Sequence, residues 1–222
     1  MNAEIKGSAA FSYLDVDLEP GEEITAESNA MASMSADVDI RSRLNGGFFK
    51  GLLRKFLGGE TLFLNHFINK TDGTRRVTLV QKIPGQIACL ELDNDTFYLQ
   101  PGAFLACDKG IKIGLRWAGI VSGLGREGLF KMVVSGSGKV WYGAYGSLLE
   151  RQIDGEYIVD TGHLVAYGPG IRLKLQLSGG FFSSLFGGEG LVTRLEGKDI
   201  VVLQTRSLPG LASWINPKLL LN

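Results

Sequence analysis

Short runs in which apolar and polar residues alternate, separated by turn-forming residues, account for most of this chain of 222 residues. The clearest run is GIRLKLQLSG, where four aliphatic side chains between Ile171 and Leu177 alternate with basic and amide side chains. A period of two places the apolar side chains of a strand on one face, as in a sheet with one buried and one wet face. Glycine supplies 31 residues, about twice its usual share of roughly 7%, without the period of collagen. The pattern predicts an all-β fold with many tight turns and bulges.

Two segments depart from the strand pattern and are candidates for short helices. The segment FFKGLLRKFLGG places Phe48, Leu52 and Phe56 on one helical face. Its basic residues Lys50 and Arg54 lie on the other face, and a glycine pair provides a C-terminal cap. The tail SLPGLASWINPKLLLN is predicted to form a last turn or a short helix. We therefore expect at most one or two short helices in the chain.

A glycine-rich phrase occurs twice, as NGGFFKGLLRKFLGGETLF from residue 45 and as SGGFFSSLFGGEGLV from residue 178. A divergent third copy ends in GLGREGLFKMVV. Each copy contains a glutamate, Glu60, Glu127 or Glu189, that is followed at once by a strand-like run. The spacings of 67 and 62 residues between these glutamates indicate three copies of one β unit that stack on a shared core.

The repeats predict the organisation of the whole chain. We expect a single all-β domain over residues 1–222, with pseudo-repeats at roughly 1–85, 86–150 and 151–222. The units are expected to be β-sandwich or double-stranded β-helix-like and to form one compact body without a flexible linker.

Dipeptides typical of turns recur along the chain and predict where its strands end. They are Asp72-Gly73, Asp93-Asn94, Pro101-Gly102, Asp154-Gly155 and Glu196-Gly197. The segment SGSGKV, from Ser135 to Val140, resembles part of a phosphate loop but lacks both the earlier glycine and the hydroxyl residue after the lysine. It is therefore predicted to be a hairpin turn. The segment GLGREG matches the dinucleotide pattern only formally, because a strand-like run follows it instead of a helix.

No constellation of catalytic or metal-binding residues is evident in the sequence. His66 and His163 are the only histidines of the chain, and both are interpreted as structural residues. No serine occupies a nucleophile elbow. Cys89 and Cys107 lie in strand-like runs and are interpreted as buried free thiols, because nothing in the sequence signals export to an oxidising compartment. We expect no enzyme activity, no catalytic or cofactor-binding residues, no cofactor and no metal.

The repeated glutamates Glu60, Glu127 and Glu189 are the remaining candidates for a chemical role. A carboxylate directly after a glycine turn accepts hydrogen bonds from backbone N–H groups and pins the turn, which is the favoured interpretation. The alternative is a ligand or metal role around a pseudo-threefold axis, where three carboxylates would prefer a hard cation.

The phenylalanine-rich phrases are predicted to form an interaction surface, because a contiguous exposed apolar patch usually marks a partner or membrane contact. The candidate residues are Phe48, Phe49, Lys50, Leu52, Arg54, Lys55, Phe56, Phe181 and Phe182. Residues 46–59 combine an apolar face with a basic face, as interfacial helices do, and so also predict contact with a membrane surface.

The charge balance disfavours nucleic acid as a partner. The 23 basic and 23 acidic residues cancel, whereas nucleic-acid binders usually show a basic excess or stripe. No apolar window reaches the length of about 18 residues that a transmembrane helix needs, and the N-terminal sequence lacks the pattern of a signal peptide. These features predict a cytoplasmic protein.

Several phrases together resemble a known family. They are FLGGETLFLNHF, GSGKVWYGAYG, LFGGEGLVTRLEGKDIVVLQTR and QTRSLPGLASWI. They are similar to the uncharacterised bacterial and archaeal family related to the mitochondrial biogenesis protein AIM24, and the resemblance covers nearly the whole chain. It implies an all-β fold similar to that of the tryptophan RNA-binding attenuation protein. That protein's tryptophan and RNA sites are not carried over, because no matching basic surface can be placed here; Thr74–Arg76 is a single basic pair.

Three functions remain open from the sequence. The first is a non-enzymatic interaction or scaffold protein that self-associates as a homo-oligomer. The second is peripheral association with a membrane through residues 46–59. The third is a small-ligand or RNA-binding module, which rests on analogy of fold alone.

Overall fold

The computed structural model describes residues 1–44, 63–120, 128–177 and 191–219. The strands before residue 81 are β1 (Asn2–Lys6), β2 (Tyr13–Leu18), β3 (Glu23–Glu27), β4 (Met31–Met34), β5 (Val38–Leu44), β6 (Phe63–Asn69) and β7 (Arg75–Val80). Four further strands are β8 (Ile87–Leu99), β9 (Phe104–Asp108), β10 (Ile111–Ile120) and β11 (Gly128–Gly143). The last elements are β12 (Leu148–Asp160), a 3-10 helix (Thr161–His163), β13 (Leu164–Tyr167), β14 (Ile171–Leu177), β15 (Leu191–Gln204) and the helix α1 (Leu208–Leu219).

The strands form two sheets, so the predicted all-β class is confirmed. The smaller sheet has the order β1-β2-β7-β4. The larger sheet follows the path β12-β15-β13-β8-β11-β9-β3-β6-β5, with β10 added to β11 and β14 added to β15. This path does not close on itself in the described residues: β12 ends it on one side and β5 on the other.

The strands from β8 to β15 fall into two groups of four with the same pairing scheme. In each group the first three strands all pair with the fourth: β8, β9 and β10 with β11, and β12, β13 and β14 with β15. The contacts β13–β8 and β3–β9 then join neighbouring groups. The division of the whole chain into three repeats stays a prediction, since the first 80 residues pair in a different order.

The fourth strand of each group, β11 or β15, pairs with one strand along its first part and with a different strand along its last part. The stretch of β11 up to Gly136 pairs with β10, whereas Val140–Tyr142 pairs with β9. The stretch of β15 up to Gly197 pairs with β14, whereas Val201–Leu203 pairs with β13. On the other edge, β8 and β12 remain the partners throughout. The change of neighbour makes β11 and β15 the branch strands of the larger sheet.

Glycine occupies both branch points because a side chain would collide there with another backbone. Gly136 and Gly197 have φ of 121° and 138°, which L side chains rarely adopt. A Cβ on Gly136 would strike the carbonyl oxygen of Gly110, and a Cβ on Gly197 would strike that of Gly170. The ladder between β11 and β8 also shifts register between Gly136 and Gly138, which is a β-bulge.

Four turns predicted from the sequence are wrong, because the residues concerned lie inside long strands. Asp93-Asn94 lies inside β8, Asp154-Gly155 inside β12, Glu196-Gly197 inside β15, and Ser135–Val140 inside β11. Asn94 and Gly155 have positive φ, as turn residues do, but their strands continue through them. These residues have the backbone conformation of turn residues, but the chain bends within a strand at these positions and does not reverse. Asp72-Gly73 and Pro101-Gly102 do lie between strands.

The apolar side chains form three clusters between and within the sheets. One cluster joins the smaller sheet to β3, β6 and β9 and contains Phe67 and Trp141, which are 0% and 1% exposed. A second lies around β8, β9 and β11, with Phe104 and Met132 at its centre. The third belongs to the last four strands and includes Tyr167. These clusters form the core of the two sheets and leave α1 outside it.

Candidate functional site

Every residue of the predicted interaction surface lies outside the described residues. This holds for Phe48, Phe49, Lys50, Leu52, Arg54, Lys55, Phe56, Phe181 and Phe182, and for the three glutamates Glu60, Glu127 and Glu189. The predicted helix at 46–59 falls in the same category. The remaining candidates for a functional site lie in the described ranges.

The histidines and cysteines occupy structural positions. His66 Nδ1 lies 2.9 Å from Thr25 Oγ1, and His163 Nδ1 donates to the backbone oxygen of Gln204 at 2.7 Å. Burial raises the pKa of the Cys107 thiol to about 12, so this residue is a poor nucleophile. Cys89 is exposed, which corrects its assignment as a buried thiol: it lies on the outward side of β8. Neither cysteine is bonded to the other.

The basic pair of Thr74–Arg76 is already neutralised within the smaller sheet. Arg76 binds both carboxylate oxygens of Asp17, at 2.8 and 2.9 Å. The same guanidinium holds the pKa of Asp17 below its ordinary value. Arg75 binds Asp37 through its Nε at 2.7 and 2.8 Å. Because both guanidinium groups are engaged by carboxylates, this pair is unsuited to binding phosphates.

The described ranges also contain no cluster of three or more histidine, cysteine or acidic side chains arranged to hold a metal ion. In the same ranges, no helix has the length and apolar content to cross a bilayer.

The most exposed apolar feature of the described chain is α1. None of its twelve residues is buried. Leu208, Leu211 and Leu219 are exposed on one side of the helix, and Trp214 flanks them with 62% of its surface accessible. Leu211 lies three positions after Leu208 and eight before Leu219, and this spacing produces an apolar stripe along the helix.

The N-terminus of α1 is capped by Ser207, and the residue before Ser207 is hydrogen-bonded to the body. The backbone oxygen of Ser207 accepts a hydrogen bond from the amide of Leu211 at 3.0 Å, and its side chain accepts one from the amide of Gly210 at 3.2 Å. Ser207 therefore acts as the N-cap. Upstream, the amide of Arg206 donates to the backbone oxygen of Tyr145. The chain is thus bonded to the body just before α1, whereas no residue of the helix itself is buried.

The one charged side chain of α1 is that of Lys218, near its C-terminus. Lys218 donates a hydrogen bond to the backbone oxygen of Trp214 at 3.0 Å, and its ammonium lies 4.0 Å from the centre of the Trp214 ring. No acidic residue follows Asp199 in the sequence, whereas Arg206 and Lys218 do. The helix therefore combines an apolar stripe, an indole at its edge and a cationic C-terminal turn.

Comparison with known proteins places the body of the chain in a family. The model of the family described as mitochondrial biogenesis AIM24 matches residues 3–206. The chain belongs to the AIM24 family. The match ends at residue 206, two positions before the first residue of α1.

Relatives of this AIM24 protein come from Streptococcus pyogenes. An uncharacterised protein of serotype M6 is 29% identical over 224 residues, covering 97% of this chain and 90% of the relative. The X-ray crystal structure of another S. pyogenes protein is similar with a TM-score of 0.80 at 26% identity, covering 98% of this chain and 99% of that one. These relatives support the fold, and their names state no activity.

The stripe on α1 was missed at the level of sequence, although its helix was predicted. The phrase SLPGLASWINPKLLLN shows the spacing of Leu208, Leu211 and Trp214, and so the signal was present. Spacing alone is equally typical of a helix that packs on its own core. The exposure of the stripe follows only from the structure.

Proposed function

We propose that this AIM24-family protein is a non-enzymatic interaction protein that docks on anionic lipid surfaces through α1. The proposal is carried by one observation: a twelve-residue helix with five large apolar side chains, four of them exposed, has no buried residue. A helix shorter than about 12–15 residues is marginal in water even for favourable sequences. This one also contains Gly210 and Pro217, which are poor helix formers. It needs a surface that covers its apolar stripe.

The size of the stripe favours a lipid surface over a second protein. Twelve residues make a helix about 18 Å long, with a footprint of roughly 200 Å². A stable protein interface buries about 800 Å² on each partner. A bilayer imposes no such minimum, because each apolar side chain that enters the headgroup region contributes independently.

The charge and composition of α1 match those of interfacial helices. Such helices place Trp and Leu in the acyl boundary and Lys or Arg among the headgroups. The ammonium of Lys218 lies over the Trp214 ring, at the edge of the apolar stripe, from where a lysine side chain can reach the headgroups. The absence of acidic residues after Asp199 removes repulsion from anionic lipids. The predicted basic segment 46–59 would add a second contact of the same chemistry.

Co-sedimentation with vesicles of phosphatidylcholine and phosphatidylglycerol tests this proposal. We expect the wild type to bind, and the triple variant Leu208→Ser, Leu211→Ser, Leu219→Ser to bind at least tenfold more weakly. Burial of each leucine contributes about 1.5–3 kcal/mol, and 1.4 kcal/mol corresponds to tenfold. Emission of Trp214 should shift to the blue on binding, because the indole leaves water.

The matched control changes the polar side of the same helix, with Ser213→Gln and Asn216→Gln. This double variant should bind as the wild type does. If the leucine variant and the wild type sediment equally, α1 is not the docking element. If binding is equal on vesicles of pure phosphatidylcholine, the role given to its positive charges is wrong.

Self-association through β12 is a second candidate, and the open edge of the larger sheet supports it. β12 has thirteen residues and pairs only with β15 in the described part of the chain. Its exposed side chains include Tyr157 and Ile158, and Ile158 is 55% accessible. A strand of this length with one unpaired edge is a template for pairing with a second copy. We propose a homodimer in which two β12 strands pair antiparallel.

A further inference from the structure

A cavity of about 320 Å³ opens where the two groups of four strands meet. β8 and β11 supply Tyr98 and Lys131, and β13 supplies Tyr167. On the side of β14, Ile171, Arg172 and Leu173 complete the wall. The volume lies at the lower end of the range of small-molecule sites, which are mostly about 300–1,000 Å³.

The aromatic part of the cavity is built by the seam between β8 and β13. Tyr98 and Tyr167 are opposite each other in this ladder, and their ring centroids are 5.1 Å apart at an angle of 40°. The Tyr167 ring is fully buried in the third core cluster. Its hydroxyl is buried as well and has no hydrogen-bond partner among the described residues. An unpaired buried hydroxyl is rare in a folded protein, and a hydrogen bond to a water or to a bound molecule would satisfy it.

The cationic part of the cavity lacks a matching negative charge in the described chain. The ammonium of Lys131 lies 3.7 Å from the centre of the Tyr98 ring and 5.6 Å from that of Tyr167. Arg116 faces Lys131 directly across the β10–β11 ladder. Like charges in this arrangement are destabilising. Desolvation, and to a smaller extent Arg116, lower the pKa of Lys131.

The carboxylate nearest in register to this wall is already engaged. Glu196 is the cross-strand neighbour of Arg172, but it accepts a hydrogen bond from Lys174 at 2.8 Å. None of the residues that line the cavity is acidic. Lys131 and Arg172 therefore present positive charge beside two stacked aromatic rings, with no carboxylate between them.

We propose that this cavity binds a small organic anion, whose charge pairs with Lys131 and Arg172 and whose planar or apolar part contacts the partly exposed Tyr98. The ammonium of Lys131, which lies over the Tyr98 ring, turns toward the anion on binding. The binding requires only a change of side-chain rotamer, because the walls belong to paired strands.

Titration of the full chain with benzoate, and separately with its neutral analogue benzamide, tests the proposal at constant ionic strength. Binding is followed by the amide shifts of residues 97–99 and 165–167 in nuclear magnetic resonance spectra. We expect benzoate to bind at least tenfold more tightly than benzamide, which is about 1.4 kcal/mol. Equal affinity of the two probes, or no shift with either, overturns the proposal.

Variants then assign the charge to Lys131. Lys131→Met keeps the length and the apolar stem, and should weaken benzoate binding about tenfold while leaving benzamide binding unchanged. Lys131→Arg should retain most of the affinity. Lys112→Met, which removes an exposed lysine of β10 opposite Ser135, is the matched control and should have no effect. Unchanged benzoate binding by a folded Lys131→Met protein contradicts the proposal.

Discussion

Two aspartates and two glycines show how individual residues fix the last eight strands. Asp108, at the end of β9, fits against Gly138 of β11 and accepts a hydrogen bond from the amide of Lys139 at 2.7 Å. In the next group the aspartate lies on the fourth strand and the glycine lies outside it. Asp199 of β15 fits against Gly168 and accepts a hydrogen bond from the amide of Gly170 at 2.9 Å. The same small space is thus filled by one carboxylate in each group, supplied from opposite strands.

Gly168→Ala is expected to destabilise the protein by about 1–3 kcal/mol, the usual cost of overpacking. The new methyl group would overlap the carboxylate of Asp199. Urea unfolding measures the change. Gly114→Ala is the control, because a Cβ on Gly114 meets no atom within 4 Å.

Asp199→Ala should relieve part of this cost in the double variant, so the two changes should be non-additive. A Gly168→Ala protein as stable as Gly114→Ala would show that Asp199 does not hold its position against the glycine.

At the scale of residues, sequence predicts backbone conformation better than chain reversal. Asn94, Gly155 and Gly197 all have positive φ, as their turn-like dipeptides indicate. Whether the strand ends there depends on the next strand in the ladder, which the dipeptide does not encode. The same limit applies to Cys89, whose exposed side of β8 is set by strands distant in sequence.

At the scale of elements, α1 differs from every strand in what holds it in place. The strands share long ladders and buried clusters, whereas α1 depends on its N-cap and on the first turn. Its sequence encodes this much: Ser207 precedes the first helical residue, and Pro209 lies in the first turn, where proline is tolerated. The sequence of the helix does not show which molecule covers its apolar stripe.

Ser207→Ala should reduce the helical signal in circular dichroism without lowering the midpoint of urea unfolding. Loss of an N-cap costs about 1 kcal/mol, and this cost falls on a helix that contributes no buried residue to the core. Ser213→Ala, which removes a hydroxyl that donates only to Gly210 within the helix, should leave the helical signal unchanged. A lower unfolding midpoint for Ser207→Ala would mean that α1 supports the core.

At the scale of the whole molecule, the larger sheet is an open path whose two ends differ. β12, with thirteen residues, forms one end of the path, and β5, with seven residues, forms the other. Sequence alternation predicted strands for both groups, but not their order. Tyr98 and Tyr167 are brought together by the β13–β8 seam alone, and so the anion cavity could not be inferred from the chain read linearly.

Ile158→Lys is expected to convert the proposed dimer to a monomer, because a lysine on an edge strand opposes pairing with another copy. Light scattering of the full chain should give about half the wild-type mass. The control is Ile40→Lys, which places the same charge on the exposed side chain of β5 at the opposite end. If Ile40→Lys also dissociates the dimer, the strands pair head to tail; if neither variant does, β12 is not the interface.

The branch strands have a thermodynamic consequence for how the molecule opens. β11 pairs with β10 before its branch-point glycine and with β9 after it. In the same way, β15 pairs with β14 before its glycine and with β13 after it. Neither part of the sheet can separate without disturbing the strand that anchors the other. The last eight strands therefore unfold as one cooperative unit, and the fluctuations that expose single hairpins in simpler sheets are suppressed.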